Sequence, residues 1–209
     1  FVDQNDLTVQ KIFFGFQRLW DLGKDKDIYL ARGAWMPSSG VFTYQWQNRT
    51  QQALELRAYD LSSKKQTVLI EENSNTWVNL NDDLTFLPER NQFIWASERD
   101  GYKHLYPYNN DGSLVKQLTK GKWVVDELEA IDPETGNIYF TGRKDTPLER
   151  HLYSVSIDDG DIQRISEKDG YHSITFSSDA SIYVDSMSTV NHPAQVSLHK
   201  AGGEQITWL

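Results

Sequence analysis

Leu84-Thr-Phe-Leu-Pro88 followed by Gln92-Phe-Ile-Trp-Ala96 is the stretch that decides the fold, because the chain carries it more than once. Glu129-Ala-Ile-Asp-Pro133 with Asn137-Ile-Tyr-Phe-Thr141 repeats its apolar spacing, and so does Ser173-Ile-Thr-Phe-Ser177 with Ser181-Ile-Tyr-Val-Asp185. Phe86, Ile131 and Phe176 are thus 45 residues apart. An earlier copy, Gly33-Ala-Trp-Met-Pro37 with Val41-Phe-Thr-Tyr-Gln45, sets Trp35 51 residues before Phe86.

A second half repeats as well. Leu54-Glu-Leu-Arg-Ala-Tyr-Asp60, His104-Leu-Tyr-Pro-Tyr108, His151-Leu-Tyr-Ser-Val155 and Gln195-Val-Ser-Leu-His199 are each followed by a polar turn. Each then runs into a last apolar strand: Gln66-Thr-Val-Leu-Ile70, Val115-Lys-Gln-Leu118, Ile162-Gln-Arg-Ile165 or Gln205-Ile-Thr-Trp208. Asp111-Gly112, Asp159-Gly160 and Gly202-Gly203 supply the positive φ that tight hairpins need. Four strands in about 45 residues is the period of a propeller blade. One such sheet has two faces to bury and cannot bury them alone, so neighbours must stack. The expectation is an all-β β-propeller of about four four-stranded blades, at 24–75, 76–122, 123–168 and 169–209, forming one domain over 1–209. Residues 1–23 read as the tail of a preceding blade, with Phe13, Phe14 and Phe16 on short strands. A two-sheet sandwich with evenly spaced strands would share the strand count but not the matched turns.

Composition agrees. The 209 residues include 7 Trp, 10 Tyr and 9 Phe, a mix suited to pleated, half-buried strands. Zero Cys excludes disulfide scaffolds, thiol catalysis and Cys-ligated metal sites. A net charge of −9 is the wrong sign for neutralising phosphates, so nucleic acid and anionic membrane are not expected partners. No run of about 18 apolar residues occurs, so no membrane-spanning segment is expected. Phe1-Val2-Asp3-Gln4 has neither a basic nor an apolar stretch, so any export leader is expected outside the chain.

Candidate chemistry is sparse. The nucleophile turn Gly-x-Ser-x-Gly of α/β-hydrolases is absent, and Ser38-Ser39-Gly40 and Ser177-Ser178-Asp179 fall in repeat turns, so no catalytic residue is assigned. His104, His151 and His199 recur 47 and 48 residues apart, which spreads them over different sheets and suggests a structural role; neither a metal nor a cofactor is expected. Glu71-Glu72 reads as a solvated loop, and Glu98-Arg99-Asp100-Gly101 as a hairpin loop laced by opposite charges. Trp35, Trp77, Trp95 and Trp123 read as packing residues.

Trp77-Val-Asn-Leu, Phe93-Ile-Trp-Ala-Ser-Glu-Arg-Asp-Gly-Tyr102, His104-Leu-Tyr106, Gln117-Leu-Thr119 and Gly121-Lys-Trp-Val-Val125 resemble the propeller of the dipeptidyl-peptidase IV group of prolyl-oligopeptidase serine peptidases. The likeness continues through Glu149-Arg-His-Leu-Tyr153, Gly170-Tyr-His-Ser173 and Phe176-Ser-Ser-Asp179, covering roughly residues 20–209. It implies the later blades of an eight-bladed propeller that caps a C-terminal α/β-hydrolase domain. Such a pair cleaves dipeptides with Pro or Ala second from peptide N-termini. The paired glutamates that hold the substrate amine belong to an earlier blade, upstream of residue 1. The resemblance places the rim of the extended substrate pocket near Asn79, Asn81, Asp82 and Asp83, where this chain is shorter and more acidic. A periplasmic or secreted bacterial parent is implied, although a cysteine-free chain equally suits the cytosol. Two open blade edges would invite a homodimer. The rival is a standalone propeller that binds a protein or glycan and catalyses nothing.

Overall fold

The computed structural model describes residues 28–209. The expected tail at 1–23, with its strands around Phe13 to Phe16, lies outside the described residues. The chain divides into two compact units, Phe1–Leu80 and Asn81–Leu209.

In the first unit, β1 (Ile28–Met36), β2 (Val41–Asn48), β3 (Ala53–Asp60) and β4 (Gln66–Asn73) form one antiparallel meander in chain order. On β3 the alternation buries Leu54, Leu56 and Ala58 and leaves Glu55 and Arg57 at the other face, the period-two pattern of a pleated strand. Arg57 lies over the Trp46 ring at 4.5 Å. A bulge between Ala31 and Ala34 breaks the β1–β2 register, with Arg32 at φ 51°. A Cβ at Gly33 beside it would meet the Phe42 ring tip at 2.5 Å, so a larger residue there would have to displace that ring. Gln47, buried on β2, donates from Nε2 to Val78 O at 2.6 Å and ties down the segment that leaves the sheet. Glu71 and Glu72 lie on β4 rather than in a loop; the apolar run Val68-Leu-Ile70 extends through them because Leu54 and Glu55 of β3 pair with Glu72 and Glu71.

The second unit holds three sheets: β5 (Thr85–Leu87), β6 (Gln92–Ser97) and β7 (His104–Asn109); then β8 (Val125–Ile131), β9 (Asn137–Gly142), β10 (His151–Ser156) and β11 (Ile162–Arg164); then β12 (Tyr171–Phe176), β13 (Ile182–Ser188), β14 (Gln195–Lys200) and β15 (Gln205–Trp208). All are antiparallel meanders, and the one helix among the described residues is a 3-10 turn at Pro88–Arg90. Gly112 and Gly160 take φ 88° and 80° in the hairpins that the repeat predicts.

One sheet differs from expectation. The strand foreseen at Val115 to Leu118 is reduced to a single Tyr108–Leu114 bridge and two backbone bonds, Val115 N–H to Pro107 O and Leu118 N–H to Leu105 O. The reason is Pro107. In an antiparallel pair a residue's N–H and C=O face the same neighbour, and Pro107 has no N–H to return the bond it accepts. Three described sheets therefore have four strands and one has three.

Stacking buries the faces. Ile94, Leu105 and Leu118 meet Val125, Ile138, Phe140, Tyr153 and Val155, with Trp123 packed alongside. On the far face of β8–β11, Tyr139 and Leu152 meet Ile174, Ala180 and Tyr183. Trp95 is fully buried, whereas Trp77 is 63% exposed and Trp35 is 39% exposed, so only part of the tryptophan set packs in a core.

Candidate functional site

The turn before β5 places the predicted residues. Asn81 and Asp83 are buried, whereas Asn79 and Asp82 are exposed. Asn81 Nδ2 donates to Ala96 O, and Asn81 Oδ1 accepts from Asp83 N–H at 2.8 Å, an Asx turn that fixes the chain's entry into the sheet. Asp83 reaches β8: its Oδ1 accepts from Leu128 N–H at 2.9 Å, and the Lys103 ammonium sits against its Oδ2. Lys103 Nζ also donates to Asp126 O at 2.8 Å.

From Asp126 the network passes to two arginines. Arg143 Nε donates to Asp126 Oδ2 at 3.1 Å. Arg150, whose side chain is 10% exposed, donates from Nη2 to Glu127 Oε2 at 3.2 Å, to Glu129 Oε1 at 3.0 Å and to Thr141 Oγ1 at 2.5 Å. Thr141 in turn donates to Glu129 Oε1 at 2.8 Å. The guanidinium of Arg150 stands 5.6 Å over the Tyr171 ring and that of Arg143 5.9 Å. Thus Asp83, Asp126, Glu127 and Glu129 face Lys103, Arg143 and Arg150, four carboxylates against three cations.

Electrostatics single out Glu129. Its side chain is 7% exposed, and burial pushes its carboxyl up to about 7; Glu127 and Asp83 add to the push, and Thr141 and Arg150 oppose it. Burial acts to lower the Arg150 guanidinium, but Tyr171, Glu129 and Asp126 outweigh it and the group is raised. Glu129 can therefore hold or release a proton near neutrality, while Glu127, 62% exposed, offers solvent a carboxylate. No nucleophile belongs to this network, and what it can do is hold cationic or hydrogen-bond-donating groups at its exposed edge.

Sequence reasoning reached Asp83, but it did not join it to Asp126, Glu127 and Glu129 or to Lys103, Arg143, Arg150 and Tyr171. Glu127 and Glu129, two apart on β8, were the available signal for one charged face; nothing in the sequence pairs them with Arg150, 23 and 21 positions on. In the Glu98–Gly101 turn Arg99 lies 4.5 Å over the Tyr106 ring, and the Tyr106 hydroxyl donates to Asp100 Oδ2 at 2.8 Å.

Stacked antiparallel meanders at a constant period define the class, a β-propeller. The family model of the dipeptidyl peptidase IV N-terminal region matches residues 5–194, and the chain belongs to that family. It is 28% identical over 178 residues to dipeptidyl peptidase 4 of Trichophyton equinum, covering 82% of this chain and 23% of that protein, and equally similar to that of Arthroderma otae. Among solved structures, dipeptidyl peptidase 4 of Porphyromonas gingivalis superposes with a TM-score of 0.79 at 23% identity, covering 88% of this chain and 26% of that one. A Bacteroides ovatus protein gives 0.78 at 26%, covering 88% and 29%. The chain spans only 16 to 23% of the length of such curated relatives.

Proposed function

We propose that this chain is the non-catalytic propeller portion of a dipeptidyl-peptidase-IV-like serine exopeptidase of the prolyl-oligopeptidase family. It gates and helps recognise peptide N-termini, with Pro or Ala second, for a C-terminal α/β-hydrolase domain of the parent enzyme. The observation that carries the proposal is the family match over residues 5–194 in a sequence without a Gly-x-Ser-x-Gly turn.

A rigid ring excludes by size: it admits a free or unfolded peptide end and keeps folded proteins from the nucleophile. Recognition is electrostatic. A peptide amine is cationic, and the exposed carboxylates of Asp82 and Glu127 steer it with modest, salt-sensitive energy. Asn81 and Asp83 hold that rim in place. The parent is bacterial and self-associates through blade edges.

Two experiments test this. The coding sequence downstream of Leu209 contains a Gly-x-Ser-x-Gly strand–turn–helix; its absence from the parent gene contradicts the proposal. In the parent enzyme, Asp82→Ala raises KM about two- to tenfold at low salt and leaves kcat unchanged, the mark of lost ground-state binding. An unchanged KM removes Asp82 from the site.

A further inference from the structure

His104 and His151 hold the same place in successive sheets. Each opens the third strand, β7 or β10, and each is buried. Each has its Nδ1 3.1 Å from a hydroxyl fifteen residues on, Thr119 Oγ1 or Ser166 Oγ. That hydroxyl also accepts the next backbone N–H, of Leu105 at 3.0 Å or of Leu152 at 3.1 Å. On this near side the two histidines are structural twins.

Their far nitrogens differ. His104 Nε2 meets the neutral Gly121 O at 2.9 Å, an acceptor that any buried imidazole could use. His151 Nε2 instead meets Glu149 Oε2 at 2.9 Å, with Asp169 close by: one ligand atom from each of Glu149, His151 and Asp169 lies within 4.8 Å of the other two. Packing that requires only an acceptor does not explain two carboxylates converging on one ring nitrogen.

We propose that Glu149, His151 and Asp169 bind a zinc-class divalent transition cation, which clasps the β11–β12 connection to the start of β10. One imidazole nitrogen and two carboxylate oxygens form a borderline donor set, completed by water as a fourth ligand. Bond lengths of about 2.0–2.2 Å put ligands on one tetrahedral ion roughly 3–3.6 Å apart; His151 Nε2 and Glu149 Oε2 already stand 2.9 Å apart, and the third ligand atom lies within 4.8 Å of both. Calcium and magnesium favour all-oxygen shells and fit an imidazole poorly.

The surroundings support the ligands. With Nε2 on the metal, His151 Nδ1–H donates to Ser166 Oγ, the kind of outer hydrogen bond that orients a ligating ring. Arg164 donates to Ser166 O at 2.7 Å, Glu167 O at 3.3 Å, Lys168 O at 3.2 Å and Asp169 Oδ1 at 3.1 Å, which preshapes the connection and leaves the second carboxylate oxygen of Asp169 for the ion. His172 is not a ligand, although its ring lies 5.4 Å from that of His151: Asp185 Oδ2 and Lys168 O occupy its two nitrogens.

The test is calorimetric titration of the chelator-stripped chain with zinc chloride, repeated with cobalt(II) to follow ligand-field absorption. One equivalent of zinc binds, excess magnesium does not displace it, and zinc raises the thermal midpoint. Glu149→Gln and Asp169→Asn, both at partly or largely exposed side chains, each weaken binding by at least about tenfold with an unchanged far-ultraviolet dichroism spectrum. His192→Gln, at an exposed histidine elsewhere, leaves binding as it was. Absence of saturable zinc binding, affinity unchanged in both carboxylate variants, or equal competition by magnesium overturns the proposal.

Discussion

The two sheet junctions of residues 81–209 both carry polar crossings, Asp83 on Leu128 N–H at the first and Arg150 at the second, but their apolar layers differ. Between β5–β7 and β8–β11 the contact is a broad apolar layer that includes fully buried Ile94, Leu105, Ile138, Phe140 and Val155. Between β8–β11 and β12–β15 the apolar cluster is smaller, built around Tyr139, Leu152, Ile174, Ala180 and Tyr183. Arg150 crosses this second junction: its N–H donates to Gly170 O and its carbonyl accepts from His172 N–H. His172 itself is buried and pairs with Asp185 at 2.7 Å. The lesson is that a stack of equivalent sheets does not need equivalent glue. Burial is non-directional and gives stability, whereas buried charge demands particular partners and fixes register at an energetic cost.

That contrast can be broken by substitution. The largest effect is expected at the apolar junction, where Phe140→Ala removes a fully buried ring and costs about 3–5 kcal/mol in denaturant unfolding. Ile174→Ala at the second junction costs less, and equal losses at the two sites would erase the distinction drawn between them. Next comes Arg150→Ala, which leaves buried Glu129 without its cation and costs about 3 kcal/mol. Adding Glu129→Gln recovers part of that loss in a double-mutant cycle, because the amide no longer needs a cation; strict additivity would mean that the two side chains are not coupled.

The third effect is a pH dependence. The folded chain holds the Glu129 proton up to about 7, against 4.5 for an ordinary glutamate, so folding takes up a proton between those values. Stability from this group is therefore complete below about pH 4.5 and is lost as the pH rises through about 7, the reverse of the usual paired carboxylate. Glu129→Gln flattens that part of the stability profile. A variant with the wild-type slope would place the titration elsewhere.

How much of this the sequence disclosed follows from the range of each interaction. The sheets were legible because their signals are local: alternation within a strand, and Asp-Gly pairs such as Asp111-Gly112 and Asp159-Gly160 at the hairpins. The reduced strand after β7 was missed although its cause, Pro107, stood in the quoted motif, since alternation through Val115 and Leu118 says nothing about which backbone donor the partner lacks. Glu71 and Glu72 were misplaced for a related reason: their charge suggests a loop, but an outermost strand tolerates charge wherever its pairing continues. The polar network was mostly illegible. Arg150 meets Glu127 and Glu129 only after β8, β9 and β10 have formed one sheet, and the fully buried His151 announces itself in sequence only as the repeat twin of His104.

In the proposed function this chain supplies walls and a rim rather than a reaction. Steady-state assay of the purified chain with a Gly-Pro chromogenic substrate, beside its full-length parent, tests that most directly. The parent turns the substrate over and a serine-reactive inhibitor stops it, while the chain alone gives no rate above buffer. Inhibitor-sensitive turnover by the chain alone would contradict the account.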